Sequence, residues 1–182
     1  MLKICIDPGH GGKYPAGDPG AVNGVLHESS AALEIAKKVG SLLEARGVTV
    51  KYTRTADNAV SLADRCKISD TFGADAFVSI HLNSAENKNA SGIETWRLSN
   101  VGTRTKKLAE NVQTELIGAT GAKNRGVKTT SSLYVLKNTT ASAVLVECGF
   151  ISNDAEAKKL FAENYQNKIA SAIVSGIYKS MA

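Results

Sequence analysis

Residues 1–12, MLKICIDPGHGG, decide the fold, because they place a short apolar run directly before a turn. Residues 2–6 have the composition of a buried strand, and the Asp-Pro-Gly at 7–9 ends it. A loop rich in Gly, Pro and Asp follows. From about residue 29 the apolar positions then recur at helical spacing, until Gly47 stops the helix. A strand followed by a helix is the repeating unit of a parallel α/β sheet.

The same alternation continues along the chain. Further strands are predicted at residues 48–53, 76–80, 92–98, 133–136 and 143–146. Helices are predicted at residues 61–73 and 101–117, and a helical tail from residue 152. We therefore expect an α/β fold: a mostly parallel twisted sheet of about six strands with helices on both faces. The sequence has no internal repeat or low-complexity stretch, so we expect a single domain over residues 1–182.

Composition excludes several classes of protein. The 182 residues are 43% hydrophobic and 21% charged, as in ordinary globular proteins. No apolar run approaches the roughly 18–20 residues of a membrane-spanning helix, so no membrane insertion is expected. The glycine patterns of nucleotide-binding loops are absent, so nucleotide binding is not expected. No nucleic-acid partner is expected either. The net charge of +5 is compatible with an anionic partner without identifying one.

Polar residues follow the predicted strands where ligands bind α/β sheets, at the carboxyl ends. His10 follows the first strand, His81 the third and Glu147 the last, and Glu28 opens a helix that reaches the same rim. Two histidines and a carboxylate are a common ligand set of hydrolytic zinc sites, and a second carboxylate can then serve as general base. Residue spacing alone leaves open which glutamate has which role, and each histidine could instead be structural.

The three cysteines, Cys5, Cys66 and Cys148, are too few and too far apart for a disulfide framework or a zinc knuckle. We expect buried thiols. Cys148 is a poor candidate nucleophile, because the neighbouring Glu147 would raise the pKa of its thiol.

Four motifs give the chain a resemblance to a known family. These are DPGHGG at 7–12, GDPGAVNGVLHE at 17–28, SIHLNS at 79–84 and VLVECGFISN at 144–153. In this order they resemble the zinc-dependent N-acetylmuramoyl-L-alanine amidases of the amidase type 3 family. That family includes bacterial autolysins, spore-lysis enzymes and phage endolysins. The resemblance runs from Leu2 to about Lys179, nearly the whole chain.

The resemblance implies a function and a site. It implies hydrolysis of the amide bond between N-acetylmuramic acid and the L-alanine of the peptidoglycan stem peptide, which lyses the cell wall. It implies one zinc ion per chain, with His10, Glu28 and His81 as ligands and Glu147 as the catalytic carboxylate. His27, next to Glu28, then has a structural role.

Other expectations concern substrate and setting. Asn83 and Arg125 are candidate substrate contacts. Alternative functions are a wall-binding module without activity and a zinc peptidase that cuts within the stem peptide. The expected partners are peptidoglycan and anionic wall polymers, and the expected state is a monomer. Because no signal peptide is seen, we expect synthesis in the cytoplasm and release to the wall, as for an endolysin. Otherwise the chain is a catalytic domain separated from a C-terminal wall-binding domain.

Overall fold

A six-stranded sheet organises the chain in the computed structural model, which describes residues 1–181; Ala182, the last residue of the predicted domain, lies outside the described residues. The strands are β1 (Lys3–Pro8), β2 (Val22–Asn23), β3 (Leu26–His27), β4 (Thr49–Tyr52), β5 (Ala76–Asn83), β6 (Ile93–Leu98), β7 (Asn124–Thr130) and β8 (Ser142–Phe150). The main sheet has the order β4-β1-β5-β8-β6-β7, and β2 and β3 form a separate hairpin. Neighbours in the main sheet are parallel except β6 and β8. The predicted mostly parallel sheet of six strands is confirmed.

Helices cover both faces of the sheet, as predicted, but unequally. They are α1 (Glu28–Glu44), α2 (Leu62–Phe72), α3 (Thr103–Thr120), α4 (Tyr134–Lys137), α5 (Asp154–Leu160) and α6 (Glu163–Met181). The long helices α1, α3 and α6 bury their apolar stripes against one face, in the larger core cluster. The other face is covered by α2, of 11 residues, and α4, of 4 residues. This shorter layer leaves room for a cleft at the carboxyl ends of the parallel strands.

Alternation along the strands brings polar side chains to that cleft. In β8, Leu145 packs on the α2 and α4 side of the sheet, so Glu147, two residues later, points the same way. Glu147 pairs in register with His81 of β5 and with Glu94 of β6. A row of three ionisable side chains therefore crosses three neighbouring strands on one face.

Local sequence signals explain where several elements begin and end. Ser61 caps α2 by accepting a hydrogen bond from the backbone N–H of Asp64, and Gly73 ends that helix in the left-handed conformation, as the sequence predicted. The tail predicted from residue 152 is two helices, with Asn153 as the N-cap of the first.

Two elements of the second half were predicted wrongly. Residues 133–136 were predicted as a strand, but Leu133 is the N-cap of the one-turn helix α4 and the other three residues lie in that helix. A run of four apolar residues fits a buried strand and a buried helical turn equally well. The strand β7 was missed because it lies at the edge of the sheet, is only half-buried and has the polar sequence NRGVKTT.

The expectation of buried thiols agrees with the structure. Cys5, Cys66 and Cys148 are all free and buried, and burial raises the pKa of the Cys148 thiol, with Glu147 adding to the effect. Of the helices within residues 1–181, none combines the length and the apolar character that crossing a bilayer requires.

Candidate metal centre

Three side chains from three separate elements converge at the carboxyl edge of the sheet. His10 follows β1, Glu28 is the first residue of α1, and His81 lies in β5. One ligand atom from each lies within 4.8 Å of the others. Nε2 of His10 is 3.3 Å and Nδ1 of His81 is 3.0 Å from the same carboxylate oxygen of Glu28. Atoms bound tetrahedrally at about 2.0–2.1 Å from a zinc ion are about 3.3 Å apart, which is close to these two distances.

Two glycines make room for these side chains. A Cβ at Gly9 would lie 2.4 Å from the ring of His81, and one at Gly20 would lie 2.5 Å from Oε2 of Glu28. Gly20 also has a φ of +71°, which L-residues rarely adopt. The glycines of the DPGHGG and GDPGA motifs therefore serve the close packing of the ligands.

Buried arginines hold the loop that carries His10. The guanidinium of Arg65 donates to the carboxylate of Asp7 at 2.7 Å and to the backbone carbonyl of His10. Arg54 donates to the carbonyl of Gly9 at 2.8 Å. His10 has a φ of 57°, a left-handed conformation that is costly for a residue with a Cβ. These hydrogen bonds stabilise the loop in the conformation that turns the imidazole towards Glu28.

Asp18 orients the ring of His10. Its Oδ2 lies 2.8 Å from Nδ1 of His10, which leaves Nε2 facing Glu28. Burial disfavours a charged imidazole, but the nearby carboxylates of Glu28 and Asp18 outweigh it and raise the pKa of His10 to about 9. Such a carboxylate–histidine pair is the usual support of a histidine that binds a metal.

Glu28 is held on both carboxylate oxygens. Oε1 accepts from the backbone N–H of Leu82 at 2.9 Å and Oε2 from that of Ala21 at 2.8 Å. Burial by itself would raise the pKa of this carboxyl, but the hydrogen bonds and charges of His10 and His81 hold it well below its usual range. Glu28 is therefore ionised and rigidly placed, and its carboxylate can supply an oxygen ligand to a metal ion.

Glu147 is the carboxylate next to this cluster. Its Oε2 is buried and has no hydrogen-bond partner among the described residues. Burial raises the pKa of Glu147 to about 7; the carboxylates of Glu28 and Glu94 add to the rise, whereas His81 and His10 oppose it. A buried carboxylate oxygen without a partner is costly and is typical of a catalytic group.

A cavity of about 640 Å³ opens beside the cluster. His10 and His81 form part of its wall, and Leu62 and Tyr134, both exposed, lie at its rim. The two histidines are therefore reachable from solvent through this cleft.

The remaining predicted residues lie beside the cluster rather than in it. Asn83 and Arg125 both contact Glu94, at 3.0 Å and 2.7 Å respectively, through hydrogen bonds that they donate to its carboxylate. His27 lies in β3 and is not one of the three clustered ligand residues.

Sequence reasoning did not single out Asp18 or Glu94. Asp18 lies within the quoted motif GDPGAVNGVLHE at 17–28. Glu94 is a charged residue in a strand otherwise composed largely of apolar and β-branched residues, IETWRL, and a buried charge there demands partners. That signal was available in the sequence.

Comparisons with known proteins identify the family to which the chain belongs. A family model described as N-acetylmuramoyl-L-alanine amidase matches residues 4–179. The sporulation-specific N-acetylmuramoyl-L-alanine amidase of Bacillus subtilis is 36% identical over 179 residues, covering 97% of this chain and 67% of the relative. The endolysin of Bacillus phage SPP1 is 37% identical over 181 residues, covering 96% of this chain and 64% of the endolysin. The crystal structure of an N-acetylmuramoyl-L-alanine amidase from Clostridium difficile 630 has a TM-score of 0.93 at 34% identity, covering 100% of this chain and 97% of that one. The chain therefore belongs to the N-acetylmuramoyl-L-alanine amidase family.

Proposed function

We propose that this peptidoglycan amidase hydrolyses the bond between N-acetylmuramic acid and L-alanine with a zinc ion held by His10, Glu28 and His81. One observation carries the proposal: three ligand atoms lie within 4.8 Å of one another, and Glu147, the register neighbour of His81, has a buried carboxylate oxygen without a hydrogen-bond partner among the described residues. Ligands and a free base at one point of a cleft are what metal-assisted hydrolysis requires.

The donor set favours zinc over harder cations. Two imidazole nitrogens and one carboxylate suit zinc, whereas calcium and magnesium prefer oxygen ligands only. When bound, zinc supplies Lewis acidity that polarises the scissile carbonyl and lowers the pKa of water to about 7. Three protein ligands, rather than four, leave a position for substrate and water.

Glu147 carries the proton in this mechanism. Among the described residues no group forms a hydrogen bond with its buried Oε2, so this oxygen is free to accept a proton from the attacking water. The water oxygen bonds to the lactyl carbonyl carbon, and Glu147 then gives the proton to the alanine nitrogen as the carbon–nitrogen bond breaks. An amide nitrogen leaves poorly without that proton. A pKa of about 7 is suited to both accepting and donating near neutral pH.

The proposed substrate indicates where the protein acts. Peptidoglycan is a polymer, and the open cleft beside His10 and His81 can receive it without a lid closing. We propose that the chain acts at the bacterial cell wall and that residues 4–179 are its catalytic unit. The expected C-terminal wall-binding domain, the anionic wall polymers and the monomeric state stay predictions.

Digestion of purified peptidoglycan, followed by mass analysis, tests the proposal. An amidase frees an intact stem peptide with an N-terminal alanine. A zinc peptidase would leave alanine on the sugar, and a wall-binding module would release nothing. Metal analysis of the same preparation should give one zinc per chain. Release of peptides that lack the alanine would overturn the assignment of the bond.

A further inference from the structure

The side chain of Arg125, in β7, is held in place near the proposed metal centre. Its Nε donates to Oε2 of Glu94 at 2.7 Å, and its guanidinium carbon lies 4.8 Å from the centroid of the Phe150 ring. Its aliphatic stem passes Gly92, where an added Cβ would lie 3.1 Å from Cγ of Arg125. The side chain is therefore held by an ion pair, an aromatic ring and a glycine surface.

The ion pair with Glu94 uses only one edge of the guanidinium of Arg125. Within residues 1–181 the structure gives a hydrogen bond to Nε but none to the two terminal nitrogens, and the side chain is 32% exposed. An arginine has five donors in a planar fork, and its terminal pair matches the two oxygens of a carboxylate. The unused edge is a preformed binding surface for such a group.

Glu94 is the centre of this arrangement. It is 5% exposed, and besides Arg125 it accepts hydrogen bonds from Nδ2 of Asn83 at 3.0 Å and from Nε1 of Trp96 at 3.1 Å. Three donors on one buried carboxylate fix its position closely. Glu94 thereby fixes the guanidinium relative to the strand that bears His81.

In the proposed mechanism Glu147 protonates the leaving alanine nitrogen, and in the sheet Arg125 lies on the Glu147 side of His81. Glu94 is in register with Glu147, which is in register with His81, so Arg125 binds at the end of this row. Two strand spacings of about 4.8 Å separate the backbone of Glu94 from the backbone of His81 by about 10 Å. An extended peptide advances about 3.3–3.6 Å per residue, so this distance corresponds to about three residues.

We propose that the terminal nitrogens of Arg125 bind a carboxylate of the peptide portion of the substrate, within the first three residues, and that Glu94 is the positioning residue for this arginine. The proposal rests on the proposed amidase function, because it takes the scissile bond to lie at the His10, Glu28 and His81 cluster. The proposal gives Arg125 and Glu94 the role of selecting anionic peptides. Neither residue is one of the three clustered ligand residues.

Two muramoyl tripeptides test the proposal, one with every peptide carboxylate free and one with each converted to a primary amide. The wild-type chain should cleave the free acid with a kcat/KM about tenfold higher, mainly through KM, since a charge-assisted pair strengthens binding. R125M should lose this preference while it still cleaves the amide. R125K should retain part of the preference, because lysine keeps the charge and loses the fork. E94Q should reduce the preference and leave the zinc content unchanged.

The ratio of kcat/KM for the two substrates distinguishes a binding role of Arg125 from damage to the fold, because damage to the fold lowers both values together. K106M, which removes a charge at an exposed position of α3, is the matched control and should keep the wild-type ratio. Equal cleavage of both substrates by the wild type, or an unchanged ratio in R125M, would overturn the subsite. If R125M does not fold, an unchanged ratio in R125K overturns it instead. Failure of the wild type to cleave either substrate would refute the amidase function itself.

Discussion

Glu147 of β8 lies opposite His81 of β5, in register across a parallel pair of strands. Residues that pair in this way project from the same face of a sheet, so the pairing alone brings a carboxylate next to an imidazole. The structure gives no hydrogen bond between the two side chains among the described residues, and Glu147 does not hold any of the three clustered groups in place. The carboxylate can therefore be changed without disturbing the ligands.

Glu147→Gln should bind zinc as the wild type does and should lose at least about 100-fold in kcat, because general base catalysis contributes about 10²–10⁴-fold. Metal analysis and peptidoglycan digestion on one preparation measure both quantities. Glu110→Gln, an exposed change on α3, should leave both at wild-type values. Turnover at the wild-type rate in Glu147→Gln would rule out this residue as the base.

Glu28→Ala should abolish stoichiometric zinc binding, because it removes the oxygen donor that both histidines face. In the wild type, a chelator should lower Tm and activity, and added zinc should restore both, since a ligand that binds only the folded state stabilises it. Glu28→Ala should show no zinc-dependent change in Tm. Glu34→Ala, an exposed change on the same helix, should respond as the wild type does. A zinc-dependent rise in the Tm of Glu28→Ala would contradict the ligand assignment.

Asp18→Ala should weaken zinc binding by about 10- to 100-fold, the usual effect of removing the carboxylate that orients a histidine ligand. Competition with a chromophoric chelator measures the affinity directly. Asp18 also accepts from the backbone N–H of Gly20 at 2.9 Å, so the Tm of the metal-free variant must be measured alongside. An unchanged affinity would show that Asp18 has no part in placing His10.

The order of the main-sheet strands and of the helices in the first half of the chain could be predicted because each of these elements has its own local signal, whereas the short hairpin of β2 and β3 was not predicted. Apolar runs mark β1 and β5, and Ser61 and Gly73 mark the ends of α2. The edge strand β7 had no such signal, since a half-buried edge needs few apolar residues. Its existence depends on pairing with β6, which is a property of the folded sheet.

The candidate site was predictable in kind but not in detail. His10 and His81 were expected at one edge because parallel strands end together, and the structure brings them together with Glu28. Spacing could not distinguish Glu28 from Glu147, because that difference depends on register and on which carboxylate lies between the two imidazoles. The contacts of Asn83 and Arg125 with Glu94 depend on the antiparallel pairing of β6 and β8, which no local pattern indicated.

Zinc affinity should rise with pH. The pKa of His10 is raised to about 9 in the metal-free protein, so below that pH its imidazole carries a proton that the metal must displace. The carboxyl of Glu28, with its pKa lowered, is already ionised and costs no proton. The apparent affinity should therefore increase by up to about tenfold per pH unit below pH 9 through His10. Calorimetric titrations in two buffers of different ionisation enthalpy should detect the released proton, and a heat independent of the buffer would contradict this prediction.

Arg65→Met should lower the free energy of unfolding by about 3 kcal/mol, because it leaves the carboxylate of Asp7, 1% exposed, without its buried ionic partner. Urea denaturation of the metal-free protein measures this. Arg46→Met is the matched control: its guanidinium contacts the ring of Tyr178 at an exposed site, and its loss should cost less than about 1 kcal/mol. Zinc affinity should also fall in Arg65→Met but not in Arg46→Met, since only Arg65 holds the carbonyl of His10. Equal stability of the two variants would show that the buried pair does not maintain the loop that carries His10.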